Sequence, residues 1–164
     1  AQHEEKLEKP RPEPERMENC EKVFTEYHRR ETLETQWGGD KACYSPSLDI
    51  VTMPKRKQFH SAHALYSTWG HELGHSTGHS KRLNRDMSGM FGLHTYAKEE
   101  LVAELCAFLI ADELQINSDT QNHANYLQSW IKCLHKDPSI LKTSLKEANR
   151  ARNYILHPKE EKKS

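Results

Sequence analysis

The sequence has no long hydrophobic run. Its longest unbroken apolar stretch, Leu105 to Ala111, falls far short of the roughly 20 residues that a membrane-spanning helix requires. It also lacks an excess of charge of either sign: 24 Lys and Arg offset 24 Asp and Glu, so the net charge is zero with histidine neutral. That balance argues against a generic nucleic-acid binder, which gains affinity by displacing counterions with a basic excess. Cysteines are few and scattered, at positions 20, 43, 106 and 133, with no CxxC pair. Neither a zinc ribbon nor a disulfide framework fits that spacing, and a reducing, cytoplasmic compartment is expected. The start of the chain has no basic segment leading into an apolar stretch, as a secretory leader would. Apolar residues make up only 35% of the chain, and the deficit lies mainly at the ends. Residues 1–16 hold three of the seven prolines and mostly charges, and residues 157–164 read HPKEEKKS. Neither end can bury enough apolar area to offset its ordering entropy, so a disordered or linker leader and a charged tail are expected. Residues 17–156 remain as one domain with room for a core. What the sequence has in plenty is histidine, 11 in all.

The apolar periodicity predicts a mostly helical α+β domain with a small antiparallel sheet near its N-terminal side. A helix is expected over Met17 to Glu31, with Val23, Phe24 and Tyr27 as its stripe. Turn chemistry at Gly38-Gly39-Asp40 and Ser45-Pro46-Ser47 brackets two short strands, Ala42 to Tyr44 and Leu48 to Met53, which read as a hairpin or meander. Such a sheet covers a helical core; an edge strand that pairs with a peptide is the functional alternative. Helices follow over about Gln58–Thr77, with Gly78 as a stop, and, after a linker with two glycines, from Tyr96 or Ala97 to Leu114. Two more are expected over Ser118–Lys136 and from Pro138 to about Leu156, with proline in the first turn of the last. Tyr126 and Trp130 read as core, and Cys106 as a buried, reduced thiol.

Chemistry is concentrated at His71-Glu72-Leu73-Gly74-His75. Histidines at i and i+4 project from one helix face, so both imidazoles can reach one zinc ion. The glutamate between them lies beside the metal, placed to act as general base on the attacking water. A composition this rich in histidine produces the pattern by chance in roughly 0.08 of sequences, so its place in mid-helix, with Trp69 and Leu73 on the packing side, matters. A catalytic zinc needs a third protein ligand. In the extended pattern HExxHxxGxxH, Gly78 falls at the glycine but Lys81 occupies the last position, and His79, two residues early, reads as a cap or surface residue. The next helix offers better: Glu100 and Glu104 share a face, which Ala107 and Ala111 continue with side chains small enough for close helix approach. A ligand glutamate with an acid four residues later is the pattern of thermolysin-like zincins. Glu100 is the expected ligand, with Glu104 accepting the second N–H of a ligand histidine. Glu99 or Glu104 in the ligand position, or Glu99 and Glu100 merely complementing a helix N-terminus, are the alternatives. His94 and Tyr96 are candidates for stabilising an oxyanion. The run Ser80 to Arg85 reads as a solvated basic helix end, or as a contact for an acidic partner or a phosphate.

In their order, GGDKACYSPSLDIVTMP, HELGHSTGHSKRLNRD, YAKEELVAELCAFLIADELQI and HANYLQSWIKCLHKDP resemble the zincin-like metallopeptidase domain of ArdC-type antirestriction proteins, over about residues 17–156. The resemblance implies a gluzincin-like fold encoded on plasmids or other mobile DNA, and a zinc-dependent hydrolase of peptide bonds acting in bacterial cytoplasm. It lands on His71, Glu72 and His75, and on the cluster of Glu99, Glu100 and Glu104. In that family the domain follows an N-terminal domain that binds single-stranded DNA, which is not among these residues, so DNA binding is expected only through such a domain. The expected partner is a peptide or protein substrate. The rival expectation is a non-catalytic domain that zinc merely stabilises, acting by binding a partner protein or DNA.

Overall fold

The computed structural model describes residues 12–88, 94–116, 128, 135 and 137–161. The expected helix over 118–136 apart from residues 128 and 135, with Tyr126, Trp130 and Cys133, the glycines of the linker, most of the leader and the last residues of the tail lie outside the described residues. The α+β class is borne out. The elements are α1 (Glu18–Glu31), β1 (Glu34–Trp37), β2 (Cys43–Ser45), β3 (Ile50–Met53), a 3₁₀ turn (Arg56–Gln58), α2 (Ala62–Ser76), α3 (His94–Leu114), α4 (Ser139–Leu156) and a short α5 (Pro158–Glu161).

Helix α1 has Glu18 and Glu21 in its first turn and His28, Arg29 and Arg30 in its last, the order that the helix dipole favours. Cys20, Phe24 and Tyr27 recur on its buried side, and Val23 is only partly covered. The sheet is mixed rather than antiparallel throughout. Strand β3 is central, with β2 antiparallel to it and β1 parallel, in the order β1-β3-β2. Strand β1 was not expected, because Glu-Thr-Gln-Trp offers few of the apolar residues that mark a strand. The crossing is made at Gly38 and Gly39, whose N–H groups both donate to the carbonyl of Met53 at 2.8 and 3.1 Å. Gly38 has φ +109°, and a Cβ on Gly39 would lie 2.4 Å from Thr52 Cγ2. With glycine at both places the chain wraps over the end of β3, so β2 pairs on the far side.

Helix α2 starts later than its periodicity suggests. The Ser61 hydroxyl accepts the N–H of Ala64 at 3.1 Å, an N-cap that sets the boundary, and Arg56–Gln58 turns separately. Gly78 does not end the helix by left-handed geometry: Thr77, the C-cap, is right-handed and Gly78 has no positive φ. The basic run after α2 is a solvated end only in part: Ser80, Lys81 and Asn84 are exposed, but the side chains of Arg82 and Arg85 are not. Arg82 is buried; its guanidinium donates to Asp49 at 2.8 and 2.9 Å and to the carbonyls of Ser76 and Glu31 at 3.1 and 3.3 Å. A buried guanidinium needs such partners. Cys106 is a free, buried thiol, as expected, and burial pushes its pKa up to about 12.

Trp69 packs edge-on against Phe24 and Trp37 and donates its indole N–H to the Thr35 hydroxyl at 3.1 Å. Thr35 in turn bonds His28 Nε2 at 2.6 Å, while His28 Nδ1 meets the carbonyl of Phe24. A carbonyl only accepts, so Nδ1 carries the proton and Nε2 accepts from Thr35: the bonding fits a neutral ring. Burial depresses its pKa below the ordinary 6.5; the Phe24 bond opposes this and Arg82 adds to it. The folded chain therefore resists a proton that the unfolded chain takes up. The contribution is full above about pH 6.5 and is lost as pH falls below it, by at most about 1.4 kcal/mol per pH unit. Urea unfolding of metal-stripped wild type and His28→Gln at pH 7, 6 and 5 should show the difference between them closing on acidification. Parallel profiles would refute the assignment.

Helices α2 and α3 meet at small residues. A Cβ on Gly74 would lie 3.3 Å from Ala103 Cα and from Cys106 Cβ, and one on Gly70 would lie 3.9 Å from Ala107 Cα. The close approach expected from Ala107 is present, with glycines as its counterpart on α2 and Ala103 beside it. It sets the distance across which the two polar faces confront each other.

Candidate metal centre

His71 and His75 project one turn apart from α2, their ring centroids 4.9 Å apart. Three carboxylates of α3 answer them. Glu100 lies between the two rings, with its oxygens 3.3 Å from His71 Nε2 and 3.0 Å from His75 Nε2. The other nitrogen of each ring is taken: His71 Nδ1 pairs with Glu104 at 2.8 Å and His75 Nδ1 with Glu99 at 2.8 Å. Bonds from Nδ1 to carboxylates fix the ring orientations and direct both Nε2 atoms to one point.

Glu72 stands apart. Its nearer oxygen is 4.0 Å from His71 Nε2, and its Oε2 is buried with no hydrogen-bond partner. His71, Glu72 and His75 offer three donor atoms within 4.8 Å of one another, a grouping able to hold a metal ion. Glu100 is nearer to both imidazoles than Glu72, so two Nε2 atoms and Glu100 form the tighter donor set. Two imidazoles and one carboxylate fit the set that binds zinc in three-ligand catalytic sites, and the orphaned oxygen of Glu72 leaves a carboxylate beside it uncommitted to the fold.

The electrostatics follow from the same contacts. Burial disfavours a charged His71, but bonds to Glu100 and Glu104 outweigh it and lift its pKa to about 10. His75 is likewise raised against burial, by Glu100 and Glu99. Burial resists the charge on Glu100 and on Glu99 too, yet both are held below the ordinary carboxylate value: Glu100 by the two histidines, and Glu99 by His75 and Arg85. Glu72 is raised, chiefly by burial. A cation at this point competes with the imidazole protons, so ion binding and proton release are coupled.

The expected residues His71, Glu72, His75, Glu100 and Glu104 are thus brought together. His79 is not in the group; its Nδ1 accepts the N–H of Lys81 at 3.1 Å. Tyr96 is half-buried in the first turn of α3, and the side chain of His94 lies outside the described residues. Sequence reasoning missed the role of one contributor and the whole of another. Glu99 is expected in the cluster as an alternative ligand or as a complement to a helix N-terminus, but not as the partner of His75; because α3 begins at His94, Glu99 also lies past the first turn and beyond the reach of the dipole. Arg85 lay in the basic run, and nothing in its spacing marked it out. It is buried and donates to both oxygens of Glu99, at 2.7 and 3.1 Å.

A family profile described as zincin-like metallopeptidase matches residues 21–146. The chain belongs to the zincin-like metallopeptidase family. Over 122 residues it is 45% identical to the DNA primase TraC of Escherichia coli, a match of 74% of this chain and 8% of that protein. It is 34% identical over 145 residues to the uncharacterized protein y4eC of Sinorhizobium fredii, covering 88% of this chain and 46% of that one. The chain therefore spans less than half the length of these relatives. Among solved structures, the Mn(II)-bound antirestriction ArdC protein of the R388 plasmid matches with a TM-score of 0.71 at 29% identity, over 88% of this chain and 53% of that one. The metal-free form of ArdC matches at 0.69. The resemblance to ArdC-type proteins carried by the four sequence blocks is borne out. Among the described residues, no helix is long and apolar enough to cross a membrane.

Proposed function

We propose that this domain is a zinc-dependent peptidase that hydrolyses a peptide bond with activated water. The observation that carries this reading is the convergence of His71 Nε2 and His75 Nε2 on Glu100, with both Nδ1 atoms held by other carboxylates. His71, His75 and Glu100 would hold the ion, leaving a position open to substrate and water. When bound, the ion supplies Lewis acidity: it polarises the peptide carbonyl and lowers the pKa of water from about 16 toward 7. The remaining chemistry belongs to the chain. Glu72 takes the proton of the attacking water on its carboxylate and passes it to the leaving amide nitrogen. Burial, by raising its pKa, brings Glu72 nearer the range where a group both accepts and releases a proton. Glu104 and Glu99 keep the rings aimed by accepting their Nδ1–H bonds.

The substrate we propose is a protein encountered in the bacterial cytoplasm, in an antirestriction setting like that named for ArdC. Contact with DNA is assigned to regions outside this domain, in keeping with its zero net charge. The test is a screen of a diverse peptide library with chelator-stripped protein, restored with zinc or with manganese. Cleavage that returns with metal supports the reading, and metal preference is read from the same experiment. Full metal loading without cleavage of any peptide would instead favour a non-catalytic domain that acts by binding.

A further inference from the structure

We infer that Arg85 is a positioning residue of the metal centre, which holds Glu99 in place for His75 and reaches it through the space left by Gly78. The inference rests on the proposed metal reading. Its geometry involves three elements. Arg85 Nε donates to Glu99 Oε1 at 2.7 Å and Nη2 to Glu99 Oε2 at 3.1 Å, the oxygen that also receives His75 Nδ1 at 2.8 Å. The same guanidinium donates to the Gly74 carbonyl at 2.8 Å and to the Thr77 hydroxyl at 2.8 Å. It therefore ties the last turn of α2 to α3 and satisfies a carbonyl near the negative end of the α2 dipole. A forked donor set does this where an ammonium cannot, because several bonds in one plane are fixed together.

Gly78 makes the route possible. A Cβ there would lie 2.9 Å from Arg85 Nη2, 3.1 Å from Arg85 Cζ and 2.7 Å from Met87 Sδ. The backbone of Gly78 does not itself call for glycine, since its φ is not positive. Space for the guanidinium is therefore what the position supplies. Glu99 adjoins Glu100 in α3, so a loosened Glu99 frees the His75 ring on one side and disturbs the donor set from the other. Because Arg85 belongs to the segment after α2, ion binding and the order of that segment support each other.

The experiment measures zinc affinity by competition with a chromophoric chelator, on the chain stripped of metal, for wild type, Arg85→Met, Arg85→Lys and Gly78→Ala. Arg85→Met is expected to weaken zinc about 10–100-fold, the usual effect of losing a partner of a ligand, with Arg85→Lys in between. Gly78→Ala changes no side chain of the cluster and is expected to reproduce the loss, because it displaces the guanidinium. Imidazole ¹⁵N shifts of the zinc-loaded forms supply a readout that general destabilisation does not move: His75 should be perturbed and His71 much less so. Zinc affinities of Arg85→Met and Gly78→Ala within twofold of wild type, or equal perturbation of both rings, overturn the inference alone. A wild-type chain that binds no zinc overturns the metal reading and this inference with it. Should Arg85→Met not fold, Arg85→Lys and Gly78→Ala still decide.

Discussion

Glu72→Gln is expected to keep bound metal and thermal stability and to lose peptide hydrolysis by about 10²–10⁴-fold, the usual worth of a positioned acid–base group. The size of the loss follows from the geometry. Glu72 is not in the tighter donor set: its nearer oxygen is 4.0 Å from His71 Nε2, while Glu100 is within 3.3 Å of both rings. Its removal as a base therefore leaves the ligands untouched. The fold does not need its charge either, since Oε2 is buried without a partner and a neutral amide of the same shape is cheaper to bury there than a carboxylate. Zinc content, the melting curve and turnover on a cleaved peptide, measured on the one variant, separate base chemistry from scaffolding. Lost metal would mean that Glu72 is a ligand. Full activity would mean that the proton is carried elsewhere.

Glu100→Gln is expected to weaken zinc more than either Glu99→Gln or Glu104→Gln. The latter two remove partners of ligand histidines, typically worth about 10–100-fold, whereas Glu100 alone of the three faces both Nε2 atoms. The gain in melting temperature on adding zinc reports the same order, because an ion that binds only the folded chain stabilises it by RT ln(1 + L/Kd), with L the free zinc concentration, and this shrinks as Kd rises. A larger loss in Glu99→Gln than in Glu100→Gln would move the ligand by one residue and reverse the roles of the two neighbours.

The residues that α2 and α3 bring together were legible in the sequence because helical spacing turns separation along the chain into a shared face. His71 with His75, and Glu100 with Glu104, needed only that. That Glu104 would hold a ligand histidine followed from the same rule, though not that the histidine is His71. The partner of His75 did not, since Glu99 and Glu100 are adjacent and the sequence does not tell which of the two meets a given ring. Arg85 was illegible for another reason: its meaning lies in a chain reversal after α2 that brings it back over Gly78, and no periodicity encodes such a reversal. Strand β1 escaped notice because its pairing depends on space beside Thr52 rather than on its own residues. Arg82 looked like a surface cation until Asp49, the carbonyl of Ser76 and that of Glu31 surrounded it.

The contact of α2 with α3 through Gly70, Gly74, Ala103 and Ala107 makes the gap between the histidines and Glu100 a main-chain dimension. Large core residues that do not meet these glycines, such as Leu65 and Ile155, are expected to tolerate exchange for others of similar volume without altering that gap. The side-chain packing of the core and the geometry of the site are thereby uncoupled. A side chain added at Gly74, where a Cβ would already lie 3.3 Å from Ala103 Cα, pushes the two main chains apart, and no repacking of the interior restores the gap.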